Sequence, residues 1–70
     1  MIRIHLDQQL ARRKMTLSEL AARVDVSIVN LSKLKTGKIR AVRFSTLEAI
    51  CRTLRCQPGD LMEYRPDEEP

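Results

Sequence analysis

Apolar positions recur at helical spacing through most of the chain, and polar residues suited to capping helices divide the pattern into short segments. Five such segments lie between residues 7 and 64, which predicts five short helices. The first six residues differ, because apolar and polar side chains alternate there as they do in a β-strand. Residues 62–65 are also compatible with a strand, and we expect them to pair antiparallel with residues 2–5. The predicted fold is all-α, with a short two-stranded pairing of the chain ends.

Capping residues mark the ends of the second and third helices. Thr16 and Glu19 have the spacing of a capping box, in which each side chain accepts a hydrogen bond from the other residue's backbone amide. Ser27 is suited to be the N-cap of the next helix, and Gly37 to be the left-handed residue after its end. Two helices joined by so short a connector predict a helix-turn-helix unit at about residues 16–36.

Two further capping signals follow in the second half of the chain. Ser45 and Glu48 repeat the capping-box spacing and predict the start of the fourth helix. Pro58 suits the first turn of a fifth helix, because proline lacks the amide hydrogen that this position leaves unpaired. Both signals agree with the apolar spacing of the segments that follow them.

The third helix has a face with no evident role in packing. Leu31 and Leu34 share one side and are enough to dock the helix on a core. On a lone helix the remaining face is ordinary solvated surface, but the second helix of a helix-turn-helix projects into the DNA major groove. We therefore predict that the small, polar and methyl-bearing residues on that face contact DNA bases: Ile28, Val29, Asn30, Ser32 and Lys33.

Charge divides the chain into a basic and an acidic part. Residues 1–43 carry ten Lys/Arg against three acids, and residues 44–70 carry three against six, which gives +7 and −3 and recovers the net charge of +4. Such a basic half suits a polyanion partner, although an ordinary solvated surface explains the charge equally well. Basic or hydroxyl side chains at helix ends and after the third helix are candidate phosphate contacts: Arg12, Arg13, Thr16, Lys38, Arg40 and Arg43. Lys33 suits a guanine or a phosphate, and Arg12 equally suits a solvated helix charge.

Other functional classes find little support in the sequence. Cys51 and Cys56 lie five residues apart in one predicted helical stretch and so point about 140° apart, too divergent for a disulfide. We interpret them as small buried hydrophobes, since with His5 they fall short of the roughly four ligands of a zinc site. No catalytic motif, cofactor or small-molecule site is evident, and no apolar run approaches the roughly 20 residues that span a bilayer. We expect a non-enzymatic protein of a reducing cytoplasm.

These motifs resemble a known family. The segment "TLSELA" from Thr16, the segment "LSKL" from Leu31, and Gly37 are similar to the lambda-repressor/Cro-like (XRE) helix-turn-helix family, and residues 43–64 resemble its fourth and fifth helices. The resemblance implies a five-helix, lambda-repressor-like DNA-binding domain, here residues 1–65. It also implies a transcriptional regulator, by our prediction a repressor, that acts as a homodimer on double-stranded DNA with a pseudo-palindromic operator.

Three positions depart from the family pattern. Leu17 stands where the family often has a glutamine that contacts phosphate, which leaves the backbone amides of the second helix for that contact. Asp25 stands in place of a turn glycine, and aspartate tolerates the left-handed conformation better than most residues. Ile28 replaces a glutamine at the first base-reading position, where it can pack against a thymine methyl group but cannot hydrogen-bond adenine.

A second copy of the chain is the expected partner, because a core this small is marginal by itself. We predict a dimer interface at Leu61, Met62 and Tyr64, which would set two recognition helices about one DNA turn apart. Residues 66–70 are acidic and offer nothing to bury, so we expect a flexible tail.

A protein-binding module is the rival function. Small domains of this family also serve as antitoxins or anti-repressors, with the same scaffold turned against another protein. The apolar side chains of Ile28 and Val29 would suit such a partner. The basic half of the chain favours DNA instead, because neutralising phosphates contributes strongly to DNA binding.

Overall fold

The computed structural model describes residues 1–66, in which five helices are enclosed in sequence by two short strands. The elements are β1 (Ile2–Ile4), α1 (Leu6–Arg12), α2 (Leu17–Val24), α3 (Ile28–Lys35), α4 (Phe44–Leu54), α5 (Pro58–Leu61) and β2 (Met62–Tyr64). The predicted architecture is therefore confirmed. All of the predicted acidic tail except Pro66 lies outside the described residues. No helix within residues 1–66 combines the length and apolar content needed to cross a membrane.

The core is assembled from one or two apolar side chains of each helix. Helix α2 is at its centre and packs against α3 and α4, while α1 reaches α3 and α5. The buried side chains are Leu6, Leu10, Leu20, Val24, Leu31, Leu34, Ile50, Leu54 and Leu61. Fully burying one such side chain contributes about 1.5–3 kcal/mol, so no helix is held by more than a few kcal/mol of apolar contact.

The two strands close the domain by joining its ends. They pair antiparallel, with Ile2 opposite Tyr64 and Ile4 opposite Met62, which confirms the predicted pairing. Next to them, the backbone amide of His5 donates to the carbonyl of Leu61 at 2.6 Å. A pair of three-residue strands is weak without packing, and here both continue directly from or into buried helices.

An ion cluster crosses the strand pair. The carboxylate of Glu63 lies 2.8 Å from Nε2 of His5 and 2.9 Å from Nε of Arg65. The hydrogen bond with His5, and then the one from Arg65, lower the pKa of Glu63 below its ordinary value of 4.5. The folded state therefore favours the ionised carboxylate.

Helix α2 has the predicted capping box. The hydroxyl Oγ1 of Thr16 accepts from the backbone amide of Glu19 at 3.1 Å, and Oε1 of Glu19 accepts from the amide of Thr16 at 2.8 Å. These bonds satisfy two of the amides that a helix start leaves unpaired, and they lower the pKa of Glu19.

Helix α2 ends on a strained residue, as the sequence predicted. Asp25 has φ 57° and ψ 43°, the left-handed conformation, and its amide donates to the carbonyl of Ala21. Arg55 after α4 and Lys14 after α1 also have positive φ, at 53° and 52°. Only α3 ends with a glycine, Gly37, which has φ 76°.

The predicted capping box at the start of α4 is wrong. The helix begins at Phe44, its N-cap is Arg43, and no side chain caps it. Ser45 therefore lies inside the first turn. An earlier start gains the hydrogen bond from the amide of Leu47 to the carbonyl of Arg43, at 2.9 Å, which a start at Thr46 would lose.

The expected divergence of Cys51 and Cys56 is also wrong. Helix α4 ends at Leu54, and the left-handed Arg55 turns the chain back, so the amide of Cys56 donates to the carbonyl of Cys51 at 3.0 Å. Both cysteines are half-buried, line the same groove and carry free thiols. Burial raises the pKa of each thiol, which makes both slow nucleophiles.

We predict that Asp25→Gly stabilises the fold by about 0.5–1 kcal/mol, because glycine adopts the left-handed conformation without strain. Asp25→Val should destabilise it by about 1–2 kcal/mol. Urea unfolding followed by circular dichroism measures both. As a control, Asp7→Gly in the first turn of α1 should destabilise by about 0.5 kcal/mol. Equal stability of the valine variant and the natural chain would contradict the strain at residue 25.

We predict that the stabilising effect of Glu63 is lost in acid. A lowered pKa in the folded state gives stability that is present above the ordinary pKa and disappears as pH falls through the folded one. The difference in Tm between the natural chain and Glu63→Gln should therefore be present above the ordinary pKa of 4.5 and shrink as pH falls below that value. His5→Ala should reduce the pH dependence of that difference. A difference that is constant with pH would refute the prediction.

Candidate nucleic-acid interface

The connector between α2 and α3 fixes where α3 begins. Asp25 reverses the chain, the half-buried Val26 packs against the core, and Ser27 caps α3 by accepting from the amide of Asn30 at 3.1 Å. Leu31 and Leu34, 1% and 4% exposed, then dock the helix. These contacts confirm the predicted N-cap and the predicted buried pair.

The other end of α3 is closed by hydrogen bonds around Gly37. The amide of Gly37 donates to the carbonyl of Leu34 at 3.0 Å, and that of Lys38 to the carbonyl of Lys33 at 2.8 Å. This pair of bonds is the Schellman arrangement, which satisfies carbonyls that a helix end leaves free. Both ends of the eight-residue helix are therefore fixed by local contacts as well as by its leucines.

Four of the five predicted base-reading residues lie together on the exposed side of α3. Ile28 and Val29 are 45% and 59% exposed, and Ser32 and Lys33 are exposed beside them. All four line one shallow groove between the start of α2 and the end of α3, together with Leu17, Thr36 and Lys38. The surface is thus a strip of methyl groups and hydroxyls with a lysine at its C-terminal end.

Asn30 lies on a different side of α3. It lines a second groove, between α3 and the segment that leads into α4, with Val42, Arg43 and Thr46 among its neighbours there. Asn30 is exposed, but the structure does not place it with the other four predicted residues. Its angle of about 100° per residue along the helix already puts it nearer to the leucine side than Val29.

Leu17 and Thr36 also line the first of these grooves, although neither was predicted to be a contact residue. Leu17 is half-buried at the start of α2 and forms one wall of the groove. The hydroxyl of Thr36 donates to the carbonyl of Ser32 at 3.0 Å, so it supplies a methyl group rather than a free donor to the groove. Thr36 follows Ser32 by four residues, and this helical spacing could have predicted that Thr36 lies on the same side of α3.

Three predicted phosphate contacts follow α3 in one exposed segment. Lys38 adjoins the groove of α3, Arg43 adjoins the groove of Asn30, and Arg40 lies between them in sequence. All three are exposed. Cations therefore lie on both sides of α3, where the two backbones that border a major groove would pass. Arg12 is also exposed, in the last turn of α1.

Arg13 has a structural role that the sequence did not reveal. Its Nε donates to the carbonyl of Leu54 at 2.7 Å and its Nη2 to the carbonyl of Arg55 at 3.0 Å. The guanidinium thus caps the end of α4, where the negative end of the helix dipole favours a cation. A phosphate contact would have to use its remaining N–H groups.

Thr16 is committed to the capping box. Its hydroxyl accepts from the amide of Glu19, and its own amide is taken by the Glu19 carboxylate. A phosphate at this helix start would meet that negative charge, so only the hydroxyl hydrogen of Thr16 and the amides that follow are suited to bind one.

One predicted dimer-interface residue is wrong. Leu61 is 2% exposed and belongs to the chain's own core, so it is not available to a second chain. Met62 is half-buried, and Tyr64 is 70% exposed on β2. An apolar residue near the end of a short helix has the same spacing whether it packs in the chain's own core or against a second chain. The sequence therefore did not distinguish these two roles for Leu61.

Comparison with known proteins agrees with this geometry. The family model for the Cro/C1-type HTH DNA-binding domain matches residues 5–67. A relative described as the uncharacterized HTH-type transcriptional regulator YozG, from Bacillus subtilis (strain 168), is 58% identical over 66 residues, which cover 94% of this chain and 79% of the relative. The resemblance seen in the sequence is thereby confirmed, and the chain belongs to the Cro/C1-type helix-turn-helix family of DNA-binding domains.

Proposed function

We propose that this chain is a sequence-specific transcriptional repressor that binds double-stranded DNA by inserting α3 into the major groove. The observation that carries the proposal is the exposed strip of Ile28, Val29, Ser32 and Lys33, which lies on a helix fixed at both ends. An α-helix fits the major groove, and these side chains are short enough to approach base edges closely.

Specificity in this proposal comes largely from apolar contact. Ile28 and Val29 present methyl groups, which suit the methyl group of thymine. Ser32 can donate to or accept from a base edge, and Lys33 can reach guanine acceptors or a phosphate. Asn30 contacts the flank of the site, nearer to Arg43 than to the centre of the strip.

Affinity in this proposal comes from the cations beside α3. Lys38, Arg40 and Arg43 hold phosphates on either side of the groove, with Arg12 and the amides after Thr16 as further contacts. Each phosphate neutralised releases counterions, which favours binding at low salt. The site of action is the nucleoid of a prokaryotic cytoplasm, and the operator is a pseudo-palindrome bound by a homodimer.

The rival function, a protein-binding antitoxin or anti-repressor, draws on the same exposed pair. Ile28 and Val29 would anchor a protein partner as well as thymine. DNA is favoured because the charged groups that line the same groove are Lys33 and Lys38, both positive.

We predict that substitutions in the strip change base preference. Ile28→Ala and Val29→Ala should each lower discrimination for thymine by about 1 kcal/mol or more at one operator position. Selection of bound sequences from a random duplex library measures this. Ile2→Ala is a matched control, since it removes methyl groups from an exposed side chain in β1 and should leave the preference unchanged. The assignment fails when none of the substitutions in the strip alters the selected sequence.

We predict that charge removal in the segment after α3 weakens binding to all sequences alike. Lys38→Gln, Arg40→Gln and Arg43→Gln should each reduce the slope of log affinity against log salt by about 0.9. Fluorescence anisotropy with two unrelated duplexes measures affinity and slope. Arg3→Gln, a cation in β1, is the control and should change neither. A protein-binding module would instead show no affinity for duplex DNA even at low salt.

A further inference from the structure

Helix α4 exposes an apolar surface that is separate from the strip of α3. Phe44, its first residue, is 81% exposed, more than any other large apolar side chain in residues 1–66. It borders a groove of about 640 Å³ that runs along α4 to the start of α5. We name this surface the α4 groove; it is lined by Phe44, Leu47, Glu48, Cys51, Arg52, Arg55, Cys56, Gln57 and Pro58.

The α4 groove is one continuous side of the helix. The groove residues that α4 and its C-cap supply recur at intervals of one, three or four positions, so they share one side of the helix, next to the side that buries Ile50 and Leu54. Leu47 and Cys51 form the half-buried floor, and Phe44 stands above one end of it. An exposed phenyl ring at one end and an open apolar floor are complementary shapes.

Charges of both signs lie along this side without partners. Glu48 lies one helical turn before Arg52, and Arg55 follows at the end of the helix. The ion pairs formed between residues 1 and 66 use Glu63 instead, with His5 and Arg65. None of the three charged groups in the groove is paired within that part of the chain.

We propose that the α4 groove docks a second copy of this chain, with the two α4 helices antiparallel across a two-fold axis. The proposal rests on the homodimer proposed above and gives it an interface. Glu48 and Arg52 are each two residues from Ile50. With the axis at the height of Ile50, Glu48 of one copy meets Arg52 of the other, and the contact occurs twice.

The same two-fold symmetry brings the aromatic ring of Phe44 into contact with the other copy. Phe44 is the first residue of α4 and Cys56–Pro58 follow its C-terminal end, so in an antiparallel pair Phe44 of each copy falls over the Cys56–Pro58 end of the other copy's groove. The contact places a large apolar group in an apolar pocket with a salt bridge beside it, which is the usual composition of an interface centre.

A second copy fits this surface better than an unrelated partner does. A two-fold interface brings a patch against itself, so it needs opposite charges at symmetric positions, as Glu48 and Arg52 provide. The alternative surface around Tyr64 has no such arrangement, since the carboxylate of Glu63 is already bound by His5 and Arg65.

The proposed geometry is compatible with one DNA turn. Arg43 precedes Ile50 by seven residues, about 10 Å along a helix, so the two copies of Arg43 lie about 21 Å apart along the paired helices. Asn30 of α3 shares a groove with Arg43, and α3 lies beyond it. Half-site centres lie about 34 Å apart, so each recognition helix must lie about 6–7 Å farther from the two-fold axis than Arg43 does, measured along the paired helices.

The experiment exchanges the charges of Glu48 and Arg52 and measures the oligomeric state by sedimentation velocity without DNA, at protein concentrations between about 10 and 200 µM. The natural chain should dimerise. Glu48→Arg places two arginines opposite each other and Arg52→Glu places two glutamates, so each variant alone should have a dimer dissociation constant at least about tenfold higher. An equimolar mixture of the two should dimerise again, because each arginine then faces a glutamate. Phe44→Ala should weaken the dimer by at least about tenfold.

Tyr64→Ala is the matched control, because it removes an exposed aromatic ring from the other apolar surface and should leave the dimer unchanged. Circular dichroism verifies that each variant is folded. A natural chain that is monomeric throughout, or a mixture that stays monomeric, overturns the proposal. If Tyr64→Ala abolishes the dimer and the α4 variants keep it, the interface lies at the strands and the proposal is refuted.

Failure of the DNA proposal would be visible separately. The folded monomeric variants should still bind an isolated half-site, with affinity for the full palindrome reduced at least about tenfold. A chain that dimerises through α4 but binds no duplex would leave the interface standing and refute the proposed function.

Discussion

The position of α3 depends on two leucines. Leu31 and Leu34 are its buried side chains, and an isolated helix of eight residues is not stable in water. Apolar burial of this extent contributes only a few kcal/mol, so the helix exists because the core beneath it and the hydrogen bonds at its two ends act together. The consequence for function is direct: with so little of the helix used for packing, most of its circumference is left for contact with something else.

The ends of the other helices show a different compromise. Glycine would relieve strain at Lys14, Asp25 and Arg55, yet each carries a side chain in the left-handed conformation. At the end of α4 the strain is offset by Arg13, whose guanidinium binds the carbonyls of Leu54 and Arg55 and so ties α1 to α4. Together with the pairing of β1 and β2, this contact stabilises a domain that has few buried side chains to rely on.

The helix ends that were predicted correctly from the sequence are those whose signal comes from neighbouring residues. The capping box of Thr16 and Glu19, the cap at Ser27 and the turn at Gly37 are confirmed because each requires only neighbouring residues. The prediction from Ser45 was wrong because the capping-box spacing of Ser45 and Glu48 also occurs inside a helix that starts earlier. The end of α4 before Cys56 was missed because arginine in the left-handed conformation has no recognisable sequence signal.

Tertiary context accounts for the remaining misses. Leu61 was expected at a surface and lies in the core, and Arg13 was expected on DNA and caps a helix. In both cases the residue type and spacing are the same for the two roles, because the pattern records which side chains share a face but not what the face meets. The helical pattern correctly placed four of the predicted residues on one exposed side of α3, and the angle of Asn30 already separated it from them, but the groove that Asn30 lines depends on the segment before α4.

Two of the exposed apolar surfaces within residues 1–66, the strip of α3 and the α4 groove, differ in the charges beside them, and these charges distinguish the partners that suit each surface. Beside Ile28 and Val29 the charged groups of the groove are lysines, which suits the proposed partner, an anion that also offers methyl groups as thymine-containing DNA does. Beside Phe44 the groove has Glu48 with Arg52 and Arg55, so a partner must carry both signs in matching order. The chain itself satisfies that condition. A single small domain can therefore expose both surfaces at once, because the charge pattern around each one disfavours the other's partner.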